Sequence, residues 1–427
     1  MTLQWFEGAA GTGKTTRLVE STREWLGEND LQEGQRVLAL TKYHGSRRRM
    51  DAKFKGVIGA PVDCITIDSF AWRLVRRWRS TARHLGITPE RGDFPAITVT
   101  AGSLLLRQEV GHWVGRRYPL VLVDEMQDCK SGEVAVLSGL ERYAHCIFAA
   151  DEFQDLTGDR ANEAVDWART VSKPVPLEYN QRTKVTGLLS AAHSLRSGLP
   201  IEFDRRKGIE IVPAPRAPAG GGSVSWRLTL WQKHGEIAII SPVKAGTSPF
   251  VDGLLEWVAS NRARGKGGVT TGPYSIDWES SHESIAVRVL TALGLPTDLE
   301  EHLPCSQLAE TAHQVGSPDV AEWLHKQRRI GGRESIRALE IAEEVKRIVH
   351  RRRAYSTPTV KRWSALTIHQ AKNREFESVI VLWPLKMQSE PEQQRRLLYN
   401  AITRARRQVL VVLEDPKKKR SKETPFV

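Results

Sequence analysis

Short apolar runs alternate with amphipathic stretches through the first part of the chain. Leu3–Phe6, Val37–Leu40, Cys64–Ile67, Leu120–Val123 and Cys146–Ala150 have the near-continuous apolar character of strands buried on both faces. After the first of them, Leu18, Val19, Trp25 and Leu26 recur at helical spacing over Thr15–Leu26. Strand and helix alternate in this way up to about Pro176, which predicts a parallel sheet flanked by helices. A second set of strands is expected at Ile237–Ile240, Leu366–Ile368, Val379–Leu382 and Val409–Leu413. The chain therefore reads as two α/β units in tandem.

The intervening segments read differently. Val212–Gly222 is rich in Pro and Gly and is expected to be a loop, and Arg262–Pro273 a second flexible stretch. Glu236–Asn261 between them reads as strand then helix. His282–Tyr355 is mostly helical in pattern, with Ile285, Val289 and Leu290 followed by Leu339, Ile341, Val345 and Ile348. It is expected to be an insertion within the second unit. Pro416–Val427, with Lys417-Lys418-Lys419-Arg420, reads as a solvated basic tail.

Composition narrows the class of partner. The 427 residues leave room for two or three domain cores, and 40% apolar with 26% charged residues is ordinary for a globular protein. Lys and Arg outnumber Asp and Glu by 63 − 50 = 13, an excess that suits a polyanion such as nucleic acid. Cys64, Cys129, Cys146 and Cys305 are scattered, so neither a disulfide framework nor a zinc site is expected. With no signal-like leader and no apolar run of membrane-spanning length, the expectation is a cytoplasmic protein with no membrane partner.

The chemistry concentrates just after the first strand. Gly8-Ala9-Ala10-Gly11-Thr12-Gly13-Lys14-Thr15 fits G-x-x-x-x-G-K-[ST], between an expected strand and an expected helix. Glycines let the backbone curl so that successive N–H groups face phosphate oxygens. Lys14 is then expected to reach the β- and γ-phosphates, and the Thr15 hydroxyl to ligate Mg²⁺. Leu120–Val123 runs into Asp124-Glu125-Met126-Gln127-Asp128, which puts carboxylates at the carboxyl end of a parallel strand. Asp124 is expected to hold the hydrated metal and Glu125 to deprotonate the attacking water.

Here a family resemblance becomes specific. Asp124–Asp128 resembles the D-E-x-Q-D motif of UvrD/Rep-type superfamily 1 helicases, and further motifs follow in that family's order. Val37–Met50 resembles its first DNA-contacting motif and Thr66–Ala71 its T-x-H-S-F-A segment. Ala150–Gln154 resembles G-D-x-x-Q, and Leu177–Thr183 resembles L-x-x-N-Y-R-S. Thr367–Lys372 with Glu375-Phe376 resembles T-x-H-x-A-K-G-L-E-F, and Arg395–Ala405 resembles R-R-L-x-Y-V-A-x-T-R-A.

The resemblance implies an α/β fold of two tandem RecA-like P-loop NTPase domains with parallel sheets and small helical insertions. The first domain is expected over residues 1–180, with a reduced insertion at 72–118. The second is expected over 181–281 and 356–416, with the helical insertion at 282–355 and the basic tail at 417–427. Catalytic roles fall on Glu125, Gln154, Arg182 and Arg404. Nucleotide contacts fall on Gly8, Ala9, Ala10, Gly11, Thr12, Gly13, Lys14, Thr15, Thr16 and Glu375, and metal contacts on Thr15 and Asp124. DNA contacts fall on Thr41, Lys42, Tyr43, Thr66, Ser69, Phe70, Thr367 and His369. Arg182 and Arg404 are expected on the second unit, facing the phosphate loop.

The implied activity is an ATP-dependent DNA helicase or translocase, moving 3′ to 5′ on single-stranded or tailed duplex DNA with ATP and Mg²⁺. The alternative is a DNA-stimulated NTPase that signals to a partner such as a nuclease, for example in anti-phage defence. Two departures modify this expectation. Only Met1–Glu7 precedes the loop, where the family carries an adenine-reading glutamine motif, so other nucleoside triphosphates should substitute for ATP. Lys42 stands where the family has an aromatic, while Ser69–Arg79 interleaves Trp72 and Trp78 with arginines and could contact nucleic acid or simply pack.

Overall fold

A computed structural model describes the chain except residues 1–2, 55–58, 90–92, 157–161, 265–267, 280–281, 297, 356–362, 388, 418–422, 424 and 427. It opens with β1 (Leu3–Gly8), α1 (Lys14–Glu28), β2 (Val37–Thr41), α2 (His44–Phe54) and β3 (Val62–Thr66). Four helices follow: α3 (Ile67–Arg77), α4 (Arg79–His84), α5 (Phe94–Leu105) and α6 (Gln108–Arg117). Then come β4 (Leu120–Asp124), α7 (Ser131–Glu141), β5 (His145–Ala150), α8 (Glu163–Val171) and β6 (Val175–Leu177).

The six strands form one parallel sheet in the order β3-β2-β4-β5-β1-β6. Successive residues of a central strand serve opposite faces. Val121 and Val123 enter one core with Trp5, Leu38 and Phe148, while Leu120 and Leu122 enter the other with Phe6, Leu18 and Ile147. Each such side chain contributes about 1.5–3 kcal/mol by leaving water. Because the strands are parallel, their carboxyl ends share one edge, where the residues after β1, β4 and β5 meet.

The second sheet is built from α9 (Thr186–Ser197), β7 (Ile209–Ala214), α10 (Ala217–Trp231), β8 (Ile237–Ser241) and α11 (Pro249–Ser260). The two-residue strands β9 (Ala263–Arg264), β10 (Thr270–Thr271) and β11 (Asp277–Trp278) come next. Residues 278–361 form a separate compact unit. It holds α12 (His282–Leu293), β12 (His302–Pro304), α13 (Cys305–Gln314), α14 (Pro318–Arg329), β13 (Ser335–Arg337) and α15 (Ala338–Tyr355). Its own core contains Leu308, Val320, Leu324, Ile341 and Val345. The chain finishes with β14 (Trp363–Thr367), α16 (Ile368–Ala371), β15 (Phe376–Trp383), α17 (Pro391–Ile402) and β16 (Ala405–Glu414). The strand order of this second sheet is β11-β14-β8-β15-β16-β7, parallel in every pair whose register is described. Two parallel six-stranded sheets with helical insertions make this a pair of RecA-like domains.

Several expectations need correction. Val212–Gly222 is not a loop, because Val212–Ala214 closes β7 and Gly220–Gly222 lie inside α10. A Cβ on Gly220 would meet Leu254 at 2.7 Å, and one on Gly221 would meet Trp257 at 2.2 Å. The glycines are there so that α10 can lie close on α11. Arg262–Pro273 carries the antiparallel pair β9–β10. The helical block 282–355 contains a strand pair, β12 with β13. The stretch Ser69–Arg79 is not one continuous helix: α3 breaks at Trp78, whose N–H donates to the Leu74 carbonyl, and α4 begins at Arg79.

The tail is anchored at Phe426, which is 1% exposed. Its ring lies 6.0 Å from that of Trp383 and 6.1 Å from that of Phe203, and its carbonyl accepts from Ile201 N–H at 3.0 Å. Lys418, Lys419 and Arg420 lie outside the described residues.

Candidate functional site

The turn after β1 curls because Gly11 and Gly13 take φ of 84° and 83°, a region that side chains rarely allow. Thr12 Oγ1 donates to the Ala9 carbonyl at 2.9 Å and steadies the turn. Lys14 Nζ folds back onto the Gly8 and Ala9 carbonyls at 2.9 and 3.1 Å. The segment leaving β6 lies on this loop. Gln181 and Arg182 N–H groups both donate to the Gly11 carbonyl, at 2.6 and 3.2 Å, and Asn180 Nδ2 donates to the Ala10 carbonyl at 2.8 Å. A Cβ on Gly13 would meet Gln181 Oε1 at 2.4 Å, so close approach as well as φ demands glycine.

β5 lies between β1 and β4, so its end bridges the loop and the acidic turn. Thr15 Oγ1 donates to Asp124 Oδ2 at 2.8 Å. Glu125 has φ of 58°, a left-handed conformation for a non-glycine residue, and Gln127 Nε2 holds its carboxylate at 2.6 Å. Burial would raise the Glu125 pKa, but Lys14, Lys372, Gln127 and Arg404 outweigh it and hold the carboxyl below its usual value. Asp124 goes the other way, raised by burial and by the neighbouring Glu125. Asp151, fully buried at the end of β5, accepts from Gln154 Nε2 and Tyr399 Oη at 2.9 Å each and pairs with Arg196.

The second sheet reaches into this cluster. Arg404, 3% exposed, donates from Nη2 to Gln154 Oε1 at 2.8 Å and from Nε to the Asn400 carbonyl at 3.0 Å. Its pKa is lowered to about 10 by burial and by Arg182, so it stays cationic at neutral pH. Lys372 pairs with Asp128 and donates to the Gln154 carbonyl at 3.0 Å. Arg182 is divided between the halves. Its backbone rests on the loop, while its guanidinium donates to the Thr403 carbonyl at 2.6 Å and pairs with Glu375 at 2.8 Å. Lys14, Asp124, Glu125, Gln154, Arg182 and Arg404 thus form one connected cluster, while Glu375 is held by Arg182 and Arg406.

The residues expected to meet DNA are more scattered. Thr41 and Thr66 end β2 and β3, about 14 and 19 Å across the sheet from β1 at ordinary strand spacing. Thr66 and Thr367 are also N-caps, accepting from Ser69 N–H and Gln370 N–H at 3.2 Å each. Lys42 is paired with Glu133. Phe70 is a core residue, 4% exposed and edge-on to Tyr118, with no face for a base. Tyr43, 43% exposed, and His369 are open to solvent.

Sequence reasoning assigns no role to Asp151, Arg196, Lys372 or Tyr399, although Asp151, Lys372 and Tyr399 lie inside matched motifs. Motif position alone could mark those three, and Arg196, outside every motif, carries no such signal. A buried hydroxyl–carboxylate pair beside a lysine and a curled N–H-rich turn fits a Mg²⁺–nucleoside triphosphate, since Mg²⁺ takes few protein oxygens and keeps phosphate and water ligands. Among the described residues, no group of three or more His, Cys, Asp or Glu could cage a metal, and no helix is long and apolar enough to cross a membrane.

Residues 363–412 match the family model of the UvrD-like helicase C-terminal domain. No curated protein matches the chain. Among solved structures, the Arterivirus nonstructural protein 10 helicase aligns at 12% identity over 100% of this chain and 62% of its own, with a TM-score of 0.39. The same protein in complex with DNA aligns at 11% identity over 99% of this chain and 62% of its own, with a TM-score of 0.40. This chain therefore spans 62% of the length of those helicase chains. The UvrD-like helicase C-terminal match spans β14, β15 and most of β16, all in the second sheet, while the phosphate loop lies in the first.

Proposed function

We propose that this chain is an ATP-dependent DNA helicase or translocase that moves 3′ to 5′ on single-stranded DNA and hydrolyses nucleotide between its two RecA-like domains. The observation that carries this reading is the buried Arg404–Gln154 hydrogen bond, which brings a cation from one domain to the phosphate-loop face of the other. Thr15 and Asp124 would hold Mg²⁺, which when bound supplies positive charge to the phosphate oxygens. Lys14 is placed to leave its loop carbonyls for the β- and γ-phosphates. Glu125, held ionised by its cationic neighbours, takes the proton of the attacking water. Arg404 and Arg182 meet the charge that builds as the phosphoryl group departs. Both arginines contact each domain, so hydrolysis and domain movement are coupled, and that movement advances a strand held by Thr41, Thr66, Thr367 and His369.

The burial of Phe70 and the pairing of Lys42 favour a weaker hold on single strands than a track lined with aromatics would give, at about 1–3 kcal/mol per stacked base. Hydrolysis and translocation should then outstrip duplex separation, with a partner such as a nuclease improving the coupling. The test is hydrolysis of ATP, GTP and CTP with and without single-stranded DNA, followed by strand displacement on 3′- and 5′-tailed duplexes. DNA-stimulated turnover with all three nucleotides, and displacement confined to 3′ tails, is the expected result. Turnover indifferent to DNA would refute the motor.

A further inference from the structure

We infer that the groove between α3 and the segment following α4 is a second nucleic-acid contact, which receives one unstacked nucleotide of a strand while three arginines hold its phosphates. This deepens the proposed function, and rests on it, by placing a strand contact outside the motifs of the cleft.

The groove measures about 480 Å³. Trp72 lies in it, Ile87 and Pro89 form an apolar wall, and Arg76, Arg79 and Arg83 line it. The three arginines are exposed, and among the described residues no carboxylate lines the groove with them. None of the three has an ion pair or a side-chain hydrogen bond among the described residues. That distinguishes them from Arg77, whose guanidinium lies 4.3 Å over the Trp113 ring. Trp72 packs its body against the first domain's core while remaining partly exposed.

Chemistry selects the ligand. Unpaired guanidiniums favour phosphate, which they can engage bidentately. An indole beside an apolar wall favours a flat ring, and a base can stack there whatever its identity. Spacing suits a strand: Arg76 and Arg83 lie seven residues apart on either side of the break at Trp78, so with Arg79 they can meet successive phosphates. Competition by inorganic triphosphate separates a strand from a free anion.

The test uses the full chain and a fluorescein-labelled oligo-dT, with anisotropy read across a range of NaCl concentrations. Replacing all three by alanine (Arg76→Ala, Arg79→Ala and Arg83→Ala) should lower the slope of log K against log salt by about 2, at about 0.7 per single-strand phosphate contact. Their exposure should leave the melting temperature unmoved. Trp72→Leu, which keeps apolar bulk against the core, should weaken binding roughly 5- to 100-fold, the value of one stacked base. An unchanged slope in the triple variant would overturn the inference. So would an equal loss of slope when Arg205, Arg206 and Lys207 are replaced instead, because net charge would then be the cause. Inorganic triphosphate that competes with oligo-dT at equal phosphate concentration would also overturn it, in favour of a free-anion site. Failure of the unaltered chain to bind oligo-dT at all would remove the proposed function as well, whereas the preceding outcomes leave it standing.

Discussion

The phenol of Tyr399 joins the two domains at the phosphate loop: its oxygen accepts the Ala10 N–H at 2.7 Å and donates to Asp151 Oδ2 at 2.9 Å. Its ring stands edge-on to Phe153 with centroids 5.0 Å apart. Tyr399→Phe keeps that packing and removes these hydrogen bonds, with a third accepted from Arg196 Nη1 at 3.4 Å, leaving a buried N–H without its partner. The expected cost is about 1–3 kcal/mol of stability, read from chemical denaturation. An unchanged midpoint would mean that the contact does not form in solution.

Lys14 and Glu125 should fail in different ways. Lys14→Ala should weaken nucleotide binding, measured by equilibrium titration. Glu125→Gln should bind nucleotide normally and turn it over roughly 10²- to 10⁴-fold more slowly, because the loop and the Thr15–Asp124 pair survive without the base. Near-normal turnover by Glu125→Gln would end its assignment as the base.

Arg404 should matter for rate rather than for binding. Arg404→Ala is expected to lower kcat roughly 10³-fold or more with little change in nucleotide affinity. Arg404→Lys should rescue little, since a lysine cannot bond both Gln154 Oε1 and the Asn400 carbonyl through one planar fork. Steady-state kinetics that show only a raised KM would contradict a role in the transition state.

Asp128 should leave a mark on the pH profile. Burial, helped by the charge of Glu125, outweighs Lys372 and pushes its carboxyl up to about 6 from 3.8. The folded protein therefore keeps a proton that the unfolded chain releases. Stability from this group is full below about pH 4, falls as pH rises toward 6, and is flat above. Asp128→Asn should flatten that part of a stability–pH curve. The charge pair with Lys372 exists only once the carboxyl ionises, so coupling between the domains should strengthen through pH 6.

Different parts of this molecule were legible for different reasons. β4 and β5 lie in the sheet's interior, so their buried faces appear as unbroken apolar runs. β6 is an edge strand of three residues with a proline, two of them exposed, and carries no such signature. The glycines of α10 resembled a loop because their reason, the approach of α11, lies elsewhere in the fold. The phosphate loop is local in sequence, and so was read complete. The Tyr399–Asp151 contact spans 248 residues, and no spacing rule reaches that far.

The left-handed backbone at Glu125 has a practical corollary. A side chain in that conformation costs about 1–2 kcal/mol that glycine would not incur. Glycine there would therefore relax the turn and remove the base in one exchange. A library sorted for heat resistance should enrich inert sequences at this position, so variants improved for shelf life need an independent check of turnover before they are taken as intact.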